Sequence, residues 1–467
     1  MPKKYKDEIL GTMSIGKLLM KLSVPAMIGM IVNALYNVVD TIYLGRGVGP
    51  LAIGGLTIAF PFQMIVMAIG MTIGVGSASV ISRNLGSGNR DKAYHAAGTA
   101  LTVSVVLGLL MMIGGAVFLD QLLRLFGASE TLLGYARSYL SVILIGIPLI
   151  SFAMTSNNIV RAEGKAMTAM ISMLIGTGMN IILDPIFIFL FHLGIKGAAI
   201  ATVISQGLSF LYLFLFFVTG KSSLKLKLIH LVPDFKLLKE TVLIGLPAFV
   251  RQAGGSVLAV IMNNVLLVHG GDFAISSYGV INKLMMFTLM PLFGIVQGFQ
   301  PIAGYNYGAR KFDRVQQVIK LSILVTTIMS TFSFLMMMIF PEFLVSMFTT
   351  DQQLISLSVS AIRRVSIFIP LIGIQITGAA FFQSVGKAVP SLILGMTRQI
   401  LFLIPLVLIL PHFLGLNGVW LSFPGADIGA VTVTLFWLFK ELKSLGILHI
   451  EHSNRQEDAV ILAKEDA

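Results

Sequence analysis

Ile147-Pro148-Leu149-Ile150 returns 222 positions later as Ile369-Pro370-Leu371-Ile372, and Gly164-Lys165-Ala166 returns as Gly386-Lys387-Ala388. The same shift pairs Lys17 with Lys239, Pro25 with Pro247, Ala52 with Ala274, Gly76 with Gly298, Gly86 with Gly308, Asp91 with Asp313 and Phe126 with Phe348, without a gap over 140 positions. Leucine-rich chains match themselves by chance at Leu, not at this run of Gly, Pro, Lys and Asp. One unit has been duplicated.

The unit is made of membrane spans. Of 467 residues, 56% are hydrophobic and 12% charged, about half the charge of an ordinary soluble protein. Apolar stretches long enough to cross a bilayer, about 20 residues each, begin near Leu22, Ile53, Ala93, Leu133, Ala166, Gly197, Leu243, Ala274, Ile319, Leu354, Val389 and Gly418. None alternates as a transmembrane strand does, so helices are the reading that satisfies the backbone in lipid. The expected fold is all-α: twelve transmembrane helices in two parallel six-helix repeats. The expected division is a first bundle over 1–220, a linker over 221–240, a second bundle over 241–445 and a polar tail over 446–467. Met1 to Lys21 is basic but does not read as a cleavable signal, because the apolar run behind it continues past Gly45.

Charge placement orients the spans. Connections on one side collect 24 of the 33 Lys and Arg residues, among them Lys17, Lys21, Arg83, Arg90, Arg161, Lys165, Lys221, Arg310, Lys387 and Lys440. The other side has six: Arg46, Arg124, Arg137, Lys196, Arg363 and Arg364. Basic loops stay cytoplasmic, so both termini are expected there, in a multi-pass protein of the cytoplasmic (inner) membrane. The net charge of +12 is accounted for by topology and predicts no nucleic-acid partner. Six spans per repeat bring both copies into the membrane from the same side. That is the parallel-repeat class of secondary transporter, in which two bundles rock about a central cavity.

Soluble-enzyme chemistry is missing. There is no Cys, the seven His show no metal spacing, and neither a GxxxxGK[ST] loop nor a G-x-S-x-G elbow occurs. The chain does not read as an enzyme, and no cofactor is expected.

The repeats differ where polar residues enter the spans. Asp40 in span 1 faces Met262 in the second copy, and Asp184 in span 5 lies where that copy reads Ile404-Pro405. An acid inside a span is costly and by default marks an ion or proton site. Counted from Gly45 and His192, where spans 1 and 5 leave the membrane, both carboxyls lie roughly 8 to 12 Å inside, at one height. Two such acids that meet cannot both stay ionised cheaply: one holds a proton, or a cation sits between them. Uncharged ligands stand near in sequence: Tyr36 and Asn37 before Asp40, Asn180 one turn before Asp184, Thr202 in span 6 and Asn157 at the end of span 4. Arg251, Lys283 and Arg398 lie in spans of the other bundle. With Asn37 and Gln252 they are candidates for the substrate cavity, and pairing with an acid such as Asp427 is the alternative for the cations. The 25 Met and 32 Phe suit a pliable apolar cavity and lipid contact alike.

Several motifs resemble the MATE family of multidrug and toxic compound extrusion transporters, over roughly residues 10 to 445. They are Leu22-Ser23-Val24-Pro25, Leu35-Tyr36-Asn37-Val38-Val39-Asp40, Arg161-Ala162-Glu163-Gly164, Asn180-Ile181-Ile182-Leu183-Asp184-Pro185-Ile186-Phe187-Ile188 and Gly418-Val419-Trp420. The similarity is to the prokaryotic DinF- and MepA-like branch. It implies antiport, with a proton or sodium ion entering while an amphipathic, usually cationic drug or metabolite leaves. In that branch the cation site uses an acid in span 1 and an acid with an asparagine in span 5, which carries over to Asp40, Asp184 and Asn180, with Thr202, Asn157 and Tyr36 around them. Sodium, if used, is expected at Asp40 and Asp184. The NorM-like branch places acids in spans 7 and 10; here span 7 reads Arg251-Gln252 and span 10 has none. Membrane lipid and small-molecule substrates are the expected partners, and a monomer the expected state. The rival readings are a lipid or lipid-linked oligosaccharide flippase of the same broad superfamily, which the three basic residues favour, and an intramembrane enzyme or scaffold.

Overall fold

The structure, a computed structural model, describes residues 9–48 and 50–445; the expected polar tail lies outside the described residues. The first bundle holds α1 (Ile15–Gly47), α2 (Pro50–Gly86), α3 (Arg90–Val117), α4 (Glu130–Ala162), α5 (Ala166–Pro185, continued by a π-helical turn, Ile186–Leu190) and α6 (Gly194–Val218). One continuous helical stretch, Phe235–Gly308, then breaks at Gly271, whose φ of 64° and ψ of −162° are not helical. We call its two parts α7 and α8. There follow α9 (Phe312–Ile339), α10 (Gln352–Val365 bent by 54° into Ile369–Ser384), α11 (Ala388–Met396, a π segment Thr397–Leu403, then Ile404–Leu414) and α12 (Leu416–Ser444). With α7 and α8 counted separately and the bent α10 counted once, the described residues hold twelve apolar helices, with shorter helices between them.

The duplication reaches the backbone. Gly164 and Gly386, at the repeat shift, both adopt φ 79°, and Gly88 (φ 80°) is matched by Arg310 (φ 56°). The copies also diverge. Pro148 is accommodated inside an unbroken α4, whereas its mate Pro370 opens the second piece of a bent α10. In α5 and α11 a π-helical turn adjoins a proline, after Pro185 in one and before Pro405 in the other. Proline removes one rung of the i to i−4 ladder, and the chain widens locally to absorb it.

The two bundles meet at the face that carries the connecting chain, here called the linker face. Gly86 packs on the Tyr305 carbonyl and Gly308 on the Arg83 carbonyl, two contacts related by the repeat; a Cβ at either glycine would collide with that backbone. Ser79 Oγ donates to the carbonyls of Gln383 (2.7 Å) and Ser384 (2.9 Å), and Arg83 pairs with Glu240 at 2.9 Å, with Lys92 3.7 Å from the same carboxylate. Moving away from that face, the last hydrogen bond between bundles among the described residues runs from Gln252 Nε2 to Met64 Sδ, 2.7 Å. The bundles are therefore closed at the linker face.

The connecting chain is fastened to the first bundle. The buried Glu163 carboxylate accepts from Ser222 Oγ (2.7 Å) and Ser223 N (2.6 Å). Burial pushes this carboxyl up, against the pull of Lys165 and those two donors. Further along, Thr102 Oγ1 donates to Leu231 O (2.8 Å) and Asp234 N donates to Thr99 Oγ1 (3.0 Å). The Asp234 carboxylate in turn caps α7, accepting from the amides of Lys236 and Leu237.

Candidate functional site

Asp40 on α1 and Asp184 at the end of α5 are brought together: their carboxyl groups come within hydrogen-bonding reach of each other. Asp184 is fully buried. It is the last position before Pro185 and the π-helical turn, so the local widening of α5 fixes where its side chain points. Asn180 lies one turn earlier on the same face. With its amide nitrogen facing the acid, it donates to Asp184 Oδ2 at 2.9 Å and accepts from Thr202 N at 3.1 Å, with Thr202 Oγ1 3.3 Å away. Thr202 Oγ1 donates to Ala198 O, 2.9 Å, and is itself met by the Tyr36 hydroxyl. Asp40, Asp184, Asn180, Thr202 and Tyr36 thus form one network across α1, α5 and α6.

A hydrogen bond between two carboxyl groups requires that one of them carry the proton. Protonation of such a pair changes which hydrogen bonds it can make, as a coupling site needs.

Asn157 is apart from this network among the described residues. Its Nδ2 donates to Ala153 O, 2.9 Å, and its Oδ1 is buried without a partner. The side chain of Asn37 lies outside the described residues. Two groups that sequence reading missed complete the pocket. Tyr139 on α4 is buried close to both acids and accepts from Gln63 Nε2 of α2 at 3.2 Å. The signal was available: at the repeat shift Tyr139 meets Ala361 and Gln63 meets Met285, the same inequality that singled out the acids.

In the second bundle the basic residues are dispersed. Arg398, inside the π segment of α11, is paired with the buried Asp427 of α12 at 2.6 Å. Arg251 lies over the Phe293 ring, 5.7 Å from its centre, and Lys283, exposed, is 5.7 Å from the ring centre of Phe348. Gln252 reaches across to Met64 in the first bundle. No hydrogen bond or ion pair joins these four to one another among the described residues.

Twelve apolar helices in two repeat-related bundles, closed on each other at one face and with an acid pair inside one bundle, define a multi-pass membrane transporter. The family model described as MatE matches the chain twice, over residues 25–186 and 247–409, and the chain belongs to that family, which is one of transporters and not of enzymes. It is 28% identical over 426 residues to the Multidrug export protein MepA of Staphylococcus haemolyticus (strain JCSC1435), covering 91% of this chain and 94% of the relative. MepA of Staphylococcus aureus (strain MRSA252) is 28% identical over 86% and 89% of the two chains. A solved structure described as the outward-facing conformation of a multidrug resistance MATE family transporter of the MOP superfamily superposes with a TM-score of 0.88, at 28% identity over 93% of this chain and 98% of that one. A MOP superfamily transporter from Pyrococcus furiosus, whose reversed pocket polarity was taken to suggest a different function, superposes equally well, at 0.88 and 29% identity over 95% and 99%.

Proposed function

We propose that this protein is a cation-coupled antiporter that exports amphipathic, mostly cationic drugs or metabolites across the cytoplasmic membrane. The linker face and both termini are cytoplasmic in this reading, and the coupling site is the Asp40–Asp184 pair in the first bundle. The observation that carries it is the meeting of two carboxyl groups within hydrogen-bonding reach, at a place where the second bundle has no acid. Either a proton shared by the two groups or a sodium ion held between them would satisfy the pair, and separate pH and sodium gradients distinguish the two. The ion bound here stabilises one access state relative to the other, and that difference drives coupling. The similarity to MepA multidrug export proteins supports the cargo class. The flippase alternative draws on basic residues in the second bundle, and the pairing of Arg398 with Asp427 removes one of the three.

The test is reconstitution in vesicles with pH and sodium gradients imposed separately and fluorescent lipophilic cations as cargo. Efflux should follow one of the two gradients, and Asp40→Asn and Asp184→Asn should uncouple it. Normal gradient-driven efflux in both variants at normal expression would remove the reading.

A further inference from the structure

A second polar cavity lies between the bundles near the linker face and shares no lining residue with the acid pocket. Its walls come in repeat-related pairs: Val75 with Gln297, Ala78 with Gln300, Arg161 with Gln383. The cavity therefore sits on the pseudo-twofold axis, where duplication placed matching positions face to face. One copy has kept a guanidinium there and the other an amide. Two arginines on the axis would repel each other; one leaves a single positive charge at the centre.

Among the described residues that charge has no counter-ion. Arg161 is 9% exposed, and it is the one charged residue lining the cavity among the described residues. Its terminal nitrogen touches only the Met173 sulfur, at 3.2 Å, and its Nε is buried without a partner. No acid offsets its burial. The half-buried Arg398 and Arg251 are placed differently, the first against Asp427 and the second over an aromatic ring. Gln297 adds to the deficit: its Oε1 is buried and unpartnered, and its amide nitrogen holds only the Met30 sulfur, 3.3 Å away. Turning that amide would offer the cavity a second donor. An ion and an amide left unsatisfied inside a membrane protein point to a missing partner.

We propose that Arg161 and the axial cavity bind an anionic group, either a small inorganic anion or the acid group of a cargo molecule, admitted when the bundles part at the linker face. In this closed arrangement the cavity measures about 20 Å³, room for a water-sized group only, so a larger anionic group enters only with the bundles parted. Zwitterionic and acidic molecules then join the cargo this protein handles. The inference rests on the transporter class and not on cation coupling.

Purified full-length protein, in a buffer whose only anion is bulky HEPES, is titrated with chloride, inorganic phosphate and benzoate while its melting temperature is followed. At tenfold Kd the wild type should rise by about 2 °C or more for at least one probe. Arg161→Lys should keep part of that shift and Arg161→Gln none. Gln383→Glu sets a carboxylate across the axis, so it should melt higher without added anion and stop responding; it carries the test alone if Arg161→Gln fails to fold. No shift in the wild type with any probe, or equal shifts in all variants, overturns the proposal.

Vesicle uptake of a fluorescent monocarboxylate beside a lipophilic cation separates the two sources. Selective slowing of the carboxylate in Arg161→Gln, by about fivefold or more, assigns the anion to the cargo. Loss of the melting shift with both fluxes unchanged assigns it to a free ion. Asp40→Asn should keep the anion shifts, so a failure of cation coupling and a failure of this site appear in different measurements.

Discussion

Asp184 has an acid, an amide and a proline as its immediate determinants, and each has a separable effect. Replacing it with Asn keeps the shape and the amide contact but removes the group that pairs with Asp40. Coupling between ion and cargo is typically about 5- to 150-fold. Asp184→Asn should erase a factor of that order from the ion-gradient dependence of efflux while leaving cargo binding by fluorescence quenching nearly unchanged. In the other bundle, Arg398→Met strands the buried Asp427 carboxylate and should cost about 3–5 kcal/mol, read as a fall in melting temperature. The double variant Arg398→Met with Asp427→Leu should recover most of it, because a packed apolar pair replaces a buried ion pair at little net cost. Tyr139→Phe removes one hydroxyl near both acids and frees Gln63, and should weaken coupling less than either acid substitution does.

At the scale of elements, the glycines at the linker face decide how closely the bundles approach. Gly308→Val puts a branched side chain against the Arg83 backbone, which cannot yield as a flexible side chain would. The variant should favour the state open at the linker face. The chain has no Cys, so a single Cys at Gln297 reports that opening by its alkylation rate. A rise of about tenfold corresponds to about 1.4 kcal/mol of displaced equilibrium; an unchanged rate would show that these glycines are not the closing contact. The π-helical turns, the bend of α10 and the break at Gly271 were not legible in the sequence. Proline marks where a helical ladder loses a rung, but tertiary packing chooses whether the chain bends, widens or carries on, as Pro148 and Pro370 show by answering differently at the same repeat position.

At the scale of the molecule, the twelve crossings follow from apolar length and the two bundles from the repeat shift, and both were readable because each depends on many residues at once. The acid pair depends on two residues, and simple depth arithmetic put them level; which groups surround them depends on how α2, α4 and α6 rotate, and hydropathy carries no record of that. Tyr139 and Gln63 therefore emerged only in three dimensions. The Arg83–Glu240 bridge joins the bundles, with both side chains partly exposed, and such a pair is worth roughly 0.2–1 kcal/mol. Glu240→Arg should raise linker-face accessibility only a few-fold, and adding Arg83→Glu should restore it. If the single variant locks the protein open, the bridge is more than one weak link among several.

One residue belongs to both bundles. Asp234 gives its amide hydrogen to Thr99 on one side and its carboxylate to the first turn of α7 on the other, while the chain ahead of it is pinned to Glu163 and Thr102. What looks like a slack strap of connecting chain is cargo carried by the first six helices. Between the strapped connection and the first turn of α7, Asp234 is the hinge pin, tied on both sides.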